Sequence, residues 1–233
     1  MNEPTPGNPG HGLWLDFSPG RPDALHDFCG PNEINGADCP NCSKPLLRIL
    51  SLSASDLRLN LDCARTPTVH LLYCWTCSIP YGAFSYRIME NSDVQLLQVP
   101  TGYVYGFGPD GPYDGYTGHF PLNKVGLRSL TQGEQERQRA AQSDVDLTLD
   151  LLYLQGHQIG GFPVIANPQE EIICPVCSQR SPLLAVICDN ASGNHIGGTP
   201  VPAPESFTNN CAVQMVFHFC RHCSVISAYH SCT

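Results

Sequence analysis

Apolar and polar residues alternate along much of this chain, and alternation with period two predicts β-strands. The pattern, together with β-branched and aromatic residue types, predicts strands in both halves of the sequence. Residues 145–151 show the most regular alternation. A stretch at 224–229 fits either a strand or a short tail. The predicted strands are 46–52, 57–61, 69–73, 81–88, 94–99, 145–151, 183–188 and 212–219.

One helix is predicted. Thr131 and Glu134 have the spacing of a capping box, in which each side chain satisfies a backbone N–H group of the other residue. Residues 134–142 follow and are almost entirely polar. A helix without an apolar stripe should lie on the surface.

Glycine and proline separate these elements, with 21 of each in 233 residues. This load favours short strands joined by many turns. Residues 1–12 have almost nothing to bury and are predicted to be a disordered tail. Residues 101–122 and 189–206 are predicted loops. The tyrosines of the first loop could form a binding surface or simply cover the core.

Eight of the 13 cysteines form two quartets, each made of two C-x-x-C knuckles. Two knuckles can supply the four thiolates of a tetrahedral zinc site, at a zinc–sulfur distance of ~2.3 Å. Four sulfur ligands leave no open position, so two structural Zn²⁺ ions are predicted. The ligands would be Cys39, Cys42, Cys74 and Cys77 in the first site, and Cys174, Cys177, Cys220 and Cys223 in the second.

The spacing of the knuckles fits this interpretation if strands lie between them. There are 31 residues between the first two knuckles and 42 between the second two, against the ~15–20 of a compact zinc ribbon. A redox function is the alternative, because Cys-Pro-x-Cys motifs occur in glutaredoxin-like enzymes at a helix N-terminus. Here Pro45 and Pro182 and a strand pattern follow the two motifs, so that helix is not predicted. The remaining cysteines are interpreted mainly as buried free thiols: Cys29, Cys63, Cys188, Cys211 and Cys232.

The order of knuckles and apolar runs is the same in both halves, which predicts an internal duplication. The expected fold is α+β and strand-rich, with two related lobes that each carry a four-cysteine site of the zinc-ribbon kind. We assign residues 1–12 to the tail, 13–122 to an N-terminal lobe, 123–156 to a helix and connecting strand, and 157–233 to a C-terminal lobe.

The net charge and the small number of lysines limit the classes of partner expected for this chain. The formal net charge is −9 and there are only two lysines, Lys44 and Lys124. A nucleic-acid partner is therefore unlikely, because phosphate binding needs clustered cations. No stretch reaches the ~20 apolar residues of a membrane helix, and no secretory signal opens the sequence. A cytoplasmic protein with reduced thiols is expected.

Motifs for catalysis are missing. No phosphate-binding loop, nucleophile elbow or zinc-protease helix occurs in the sequence. Asp144, Asp146 and Asp150 do not form a calcium loop, because Leu149 and Gln155 replace the required glycine and glutamate. His157, beside a Gly-Gly turn, is the one histidine considered as a catalytic residue, and a structural role is the alternative.

The chain resembles the YwqG-like family of bacterial proteins and, more distantly, the programmed cell death protein two family. The matching segments are residues 157–163 (HQIGGFP), 182–186 (PLLAV) and 216–220 (VFHFC). They correspond to a GG-x-P turn, a strand after a knuckle and an aromatic strand leading into the last knuckle. The resemblance covers residues 157–233, and the first half only through the repeat. Gly30-Pro31 lacks the doubled glycine of that turn.

This resemblance implies a two-lobed α+β fold without a catalytic centre, and a role in protein recognition, such as a toxin-immunity or adaptor protein. A zinc-binding, non-catalytic protein-interaction module is therefore the leading prediction. An enzyme with a site between the lobes near His157 is the first alternative, and a nucleic-acid-binding zinc ribbon is the second.

Overall fold

The structure, a computed structural model, describes residues 12–18, 24–39, 43–61, 66–74, 83–98, 119–154, 156–168, 171–188 and 213–232. Over these residues it has eleven β-strands, two α-helices and a 3₁₀ turn at Leu57–Leu59. The helices are α1 (Gln132–Ala141) and α2 (Val145–Leu154). The strands are β1 (Leu13–Asp16), β2 (His26–Phe28), β3 (Leu47–Ser53), β4 (Thr68–Tyr73), β5 (Phe84–Ile88), β6 (Val94–Gln98), β7 (Asn123–Ser129), β8 (Gln158–Ile159), β9 (Leu183–Cys188), β10 (Val213–Cys220) and β11 (Val225–Cys232).

The eleven strands form one continuous sheet in the order β4-β3-β2-β7-β1-β8-β9-β10-β11-β5-β6. Each neighbouring pair is antiparallel. A strand-rich fold with few helices is thus confirmed. The two related lobes stay a prediction, because strands from both halves of the chain share this one sheet. No helix in the described ranges is long and apolar enough to cross a membrane.

Alternating side chains of the sheet are buried on both faces. On β10, Phe217 and its neighbours two residues away join the main core, whereas Val216 packs with Tyr229 in a second cluster. Phe28, Phe84 and Phe217 are all fully buried. Because consecutive residues of a strand point to opposite faces, burial of both faces needs long apolar runs. The run Leu-Leu-Ala-Val-Ile-Cys of β9 is one of them.

The sheet curls until its terminal strand β4 lies against β11. Tyr86, a fully buried residue of β5, connects to β4 at this point. Its hydroxyl accepts a hydrogen bond from the backbone N–H of Leu72 and donates one to the backbone carbonyl of His70, each at 2.9 Å. Burial raises the pKa of Tyr86 far above its usual value, so this hydroxyl keeps its proton. One side chain therefore satisfies two backbone groups on the edge of β4.

The predicted strand at 145–151 is wrong, because these residues form α2. The Asp144 carboxylate accepts the backbone N–H of Leu147 at 3.0 Å, as a helix N-cap does. Leu147 and Leu151, four residues apart, then face the same cluster, which also contains Ala141 and Val164. An alternating row of leucines contains this helical spacing too, and the cap decides between the two structures.

The predicted strand at 57–61 is also wrong, because this segment begins with the 3₁₀ turn. The Asp56 carboxylate caps the turn by accepting the backbone N–H of Arg58 at 3.1 Å. Leu57 is 88% exposed and Leu59 is 1% exposed. Of the three alternating leucines only Leu59 and Leu61 are buried, so the alternation does not mark one face of a strand. By contrast, the capping box of α1 is confirmed, with both reciprocal bonds between Thr131 and Glu134 present.

Removing the Tyr86 hydroxyl should weaken the fold. In Tyr86→Phe, a buried backbone N–H and a buried carbonyl lose their partner, and each such loss costs about 1–3 kcal/mol. We expect the free energy of unfolding to fall by about 2–4 kcal/mol in urea titrations. The far-UV circular dichroism spectrum of the native state should not change, since Phe fills almost the same volume as Tyr. A loss below ~0.5 kcal/mol would contradict this role for Tyr86.

Candidate metal centre

The second cysteine quartet converges on one point. The sulfur atoms of Cys174, Cys177, Cys220 and Cys223 all lie within 4.8 Å of one another. Those of Cys177 and Cys220 are 3.6 Å apart. Tetrahedral coordination at a metal–sulfur distance of ~2.3 Å places sulfur atoms roughly 3.8 Å apart. The four thiols therefore have the arrangement of a site that could hold a metal ion.

A short hairpin positions the first two cysteines of this group. Ile173 and Arg180 form an isolated β-bridge at its base, and the backbone N–H of Cys174 donates to the carbonyl of Gln179 at 2.8 Å. Ser178 has φ of 56°, in the left-handed region that a tight turn requires. The chain thus turns back within a few residues and brings the two sulfur atoms of this knuckle together.

Strands β10 and β11 position the other two cysteines. Cys220 pairs with Val225 as the last pair of this hairpin, and the turn between them carries Cys223. Ser224 has φ of 53°. Cys174 and Cys220 are buried, whereas Cys177 and Cys223 are partly exposed. The centre therefore has one side in the protein and one side open to solvent.

The thiols of this group differ in acidity. Burial raises the pKa of the Cys220 thiol, and it raises the pKa of the Cys223 thiol to about 11. A backbone hydrogen bond from Gln179 lowers the pKa of the Cys177 thiol. Near neutral pH the four groups do not all ionise by themselves. A bound cation would favour four thiolates, so binding should release protons.

The redox alternative receives no support from the local structure. A reactive Cys-Pro-x-Cys thiolate usually sits at the start of a helix. Here Cys177 is followed by a turn and then by β9, and Cys39 is followed, beyond three residues that the structure does not describe, by β3. The cysteines whose sulfur atoms the structure describes are free thiols, and none of them is in a disulfide.

The first quartet is only partly described. Cys39 and Cys74 are both buried, each 2% exposed, whereas Cys42 and Cys77 lie outside the described residues. The backbone around Cys39 nevertheless has the same hydrogen bonds as the backbone around Cys174. The matching bonds are Cys39 N to Lys44 O and Cys174 N to Gln179 O, Ser43 N to Cys39 O and Ser178 N to Cys174 O, and Leu46 N to Ala37 O and Ser181 N to Ile172 O.

Comparison with known proteins adds no relative. No protein-family model, no curated protein and no solved structure matches this chain. The resemblance to the YwqG-like family therefore stays an expectation from the sequence, and the site has to be interpreted from its own geometry.

His157, the histidine considered as a catalytic residue, is enclosed in the core. It is 2% exposed, and its ring lies 4.8 Å from that of Phe28 and 5.7 Å from that of Phe17, measured between centroids. Its Nδ1 accepts the backbone N–H of Cys188 at 3.2 Å. This ring nitrogen thus accepts a hydrogen bond from the last residue of β9. This environment favours the structural interpretation of His157.

His26 has the same role in the first half, and no sequence motif indicated it. Its Nδ1 accepts the backbone N–H of Ser53 at 3.1 Å, so the ring proton is on Nε2, which donates to the Asp56 carboxylate at 3.1 Å. Arg58 holds the other side of that carboxylate and donates to the carbonyl of Leu127 at 3.0 Å. This buried network ties β2, β3, the 3₁₀ turn and β7 together.

The remaining cysteines and loops divide between described and undescribed residues. Cys29 and Cys188 are buried free thiols, as expected. Cys63 and Cys211 lie outside the described residues, as do residues 101–118 of the predicted loop at 101–122 and the whole of the loop at 189–206. Cys232 is the last residue of β11. The structure also shows two interactions that no sequence motif indicated. They are the His26 network and a hydrogen bond from Arg221 to the carbonyl of Leu59.

The His26 network predicts a defined acid sensitivity. Hydrogen bonds from Arg58 lower the pKa of Asp56 from 3.8 to about 2, and burial lowers the pKa of His26. Because both pKa values are lower in the folded protein, the unfolded chain takes up these protons at a higher pH than the folded protein does. Stability should therefore fall as the pH drops below about 6.5, through His26, and again between about 4 and 2, through Asp56.

Asp56→Asn tests this. The variant should be less stable at pH 7, because Arg58 and His26 lose a charged acceptor, and its stability should change less between pH 4 and pH 2. Urea unfolding at several pH values measures both effects. Asp146→Asn, at an exposed position of α2, is the matched control. An unchanged pH profile in Asp56→Asn would show that the network does not link protons to folding.

Proposed function

We propose that this chain is a zinc-stabilised, non-catalytic protein-interaction module. The observation that carries the proposal is the closed group of four thiols at Cys174, Cys177, Cys220 and Cys223. Four sulfur ligands fill a tetrahedral site and leave no position for water or substrate. Such a site stabilises a fold and performs no chemistry on a ligand.

Zinc is the metal proposed for chemical reasons. A set of four thiolates selects soft or borderline metals, of which Zn²⁺ is the usual occupant of structural sites, and iron is the main competitor for the same ligands. Zinc bound in this way can contribute on the order of 10 kcal/mol to folding at neutral pH. We propose two ions, the second held by Cys39, Cys42, Cys74 and Cys77. The shared backbone bonds of the Cys39 and Cys174 hairpins support that count.

The same comparison supports the proposed duplication. β3 and β9 each skip one residue in their pairing with the next strand, and the skipped residues, Ile49 and Leu184, each lie ten residues after the first cysteine of their quartet. The carbonyls of these two residues accept equivalent backbone bonds, from Cys29 and Gly160 at 2.9 and 2.8 Å. A shared bulge at a shared position is hard to obtain by chance.

The buried histidines extend this correspondence. His26 and His157 each lie three residues before the residue that bonds to the bulge, in β2 and immediately before β8. Each accepts, through Nδ1, a backbone N–H fourteen residues after the first cysteine of its quartet. Two histidines that make the same backbone hydrogen bond in the two halves are more consistent with a role in the fold than with catalysis at one site. The pair therefore supports the non-catalytic part of the proposal.

Protein recognition is proposed from charge, surface and resemblance. The chain is acidic, with net charge −9, which favours a partner with a basic surface. Large apolar side chains are exposed on the Cys174 hairpin and on the Gly-Gly turn, with Ile173 at 43%, Val176 at 44% and Phe162 at 50%. The resemblance to the YwqG-like family points to an immunity or adaptor role. We place this function in the cytoplasm, where the thiols stay reduced.

Metal analysis tests the zinc proposal. We expect native mass spectrometry to find two zinc ions per chain and one in each of Cys39→Ser and Cys174→Ser. Cobalt(II) substitution should give the intense absorption of tetrahedral thiolate coordination. Cys29→Ser, at a buried cysteine outside both quartets, is the control and should keep two ions. An intact chain without bound metal, or with iron, would contradict the proposal.

Affinity capture with the intact, zinc-loaded chain tests the interaction proposal. A protein partner should be recovered repeatedly, with less recovered at high salt if basic residues of the partner contact this acidic chain. The zinc-free chain serves as control and should recover less, because the surfaces are no longer held in place. Failure of the intact chain to recover any protein, including the products of adjacent genes, would count against an interaction module.

A further inference from the structure

The four-thiol centre of the second half lies against elements of the first half. Resting on the proposed metal occupancy, we propose that this centre anchors the β5–β6 hairpin and adds to the anchoring of the 3₁₀ turn, both of which lie more than 75 residues earlier in the chain. Metal binding would then stabilise contacts between the two halves as well as the fold of its own half.

Backbone contacts bring β5 to the centre. β5 pairs with β11 beginning at Arg87 and Val225, and Val225 is also the partner of the ligand Cys220. One step further, the backbone N–H of Ile88 donates to the carbonyl of Ser224 at 2.8 Å. Ser224 is next to the ligand Cys223 and has the left-handed conformation of the knuckle turn. The acceptor that Ile88 uses is thus fixed by the geometry of the knuckle.

Side chains add two more connections. Leu97 of β6 packs against the cluster formed by Cys174, Cys220 and Val225. On the other side of the knuckle, Arg221 donates from Nη2 to the carbonyl of Leu59 at 3.1 Å. Arg221 lies between the two ligands of its knuckle, so a change in the knuckle moves it as well. Residues 59 and 88 therefore contact the turn at 221–224, and residue 97 contacts the cluster beside that turn.

The coupling follows from how short the knuckle is. The turn between Cys220 and Val225 has only four residues, and two of the four thiols are partly exposed. With metal bound, two sulfur atoms of the turn are fixed relative to the hairpin of Cys174. Without it, Ser224 and Arg221 lose that restraint, and the contacts to Ile88 and Leu59 should open more often.

Hydrogen exchange on the full-length, zinc-loaded protein tests this inference, with Cys177→Ser as the variant that opens only the second centre. We expect amide protection to fall at least tenfold in β5 and β6, and by less in the 3₁₀ turn, which the His26 network also holds. Protection in β2 and β3, which do not contact this centre, should change much less. Val176→Ala, a change at an exposed residue of the same hairpin that provides no ligand, should leave all of these rates unchanged.

Arg221→Ala gives a second, independent measurement if Cys177→Ser does not fold. It keeps all eight proposed ligands, so it should still bind two zinc ions, while protection falls at the 3₁₀ turn. The inference is overturned if metal is lost from Cys177→Ser and β5 and β6 stay protected, or if β2 and β3 lose protection equally. A wild-type chain that binds no metal would instead overturn the proposed function.

Discussion

The antiparallel pairing of β1 with β7 makes one sheet out of the two halves of the chain. β1 has only four residues, yet it pairs with β7 on one side and β8 on the other. Without it the strand order would break into β4-β3-β2-β7 and β8-β9-β10-β11-β5-β6. On the proposed duplication, β1 corresponds to β7 and β2 to β8. β2 of the first repeat therefore lies beside β7 of the second repeat, and β8 of the second repeat lies beside β1 of the first. Repeats arranged in this way would share strands of one sheet.

The β4 edge of the sheet and the knuckles are stabilised differently from the middle of the sheet. In the middle, backbone pairing and apolar packing on both faces are sufficient. At β4, where the described strand order ends, the Tyr86 hydroxyl replaces a neighbouring strand for two backbone groups. At the knuckles of Cys174 and Cys220, where the chain turns, four thiols converge. Side-chain chemistry is thus concentrated at the places where backbone pairing stops.

Local features of this fold could be predicted from the sequence and long-range ones could not. The C-x-x-C spacing identified each pair of thiols in the group at Cys174, and the capping box identified α1, because in each case the residues that interact are a few positions apart. That the two pairs of thiols meet, although Cys177 and Cys220 are 43 positions apart, was predicted from their being matching knuckles. α2 was missed because alternating leucines fit a strand and a helix equally until Asp144 caps the helix. The His26 network joins residues 26, 56, 58 and 127, and no local pattern contains that combination. The strand order depends on the same kind of distant pairing.

The difference between β5 and β11 is the clearest departure from the proposed repeat. After Cys220, β11 returns at Val225 and pairs with β10. After Cys74, the corresponding ligand position, the next described strand is β5 (Phe84–Ile88), which pairs with β11. The sequence around the knuckles is similar in both halves, so the ligands alone do not determine where the following strand goes. β5 of the first half thus pairs with a strand of the second half, and the contacts of Ile88 in β5 and Leu97 in β6 bring this hairpin to the four-thiol group at Cys174. Equivalent ligand sets would then have unequal roles, because over the described ranges it is the second centre that also holds an element of the other half.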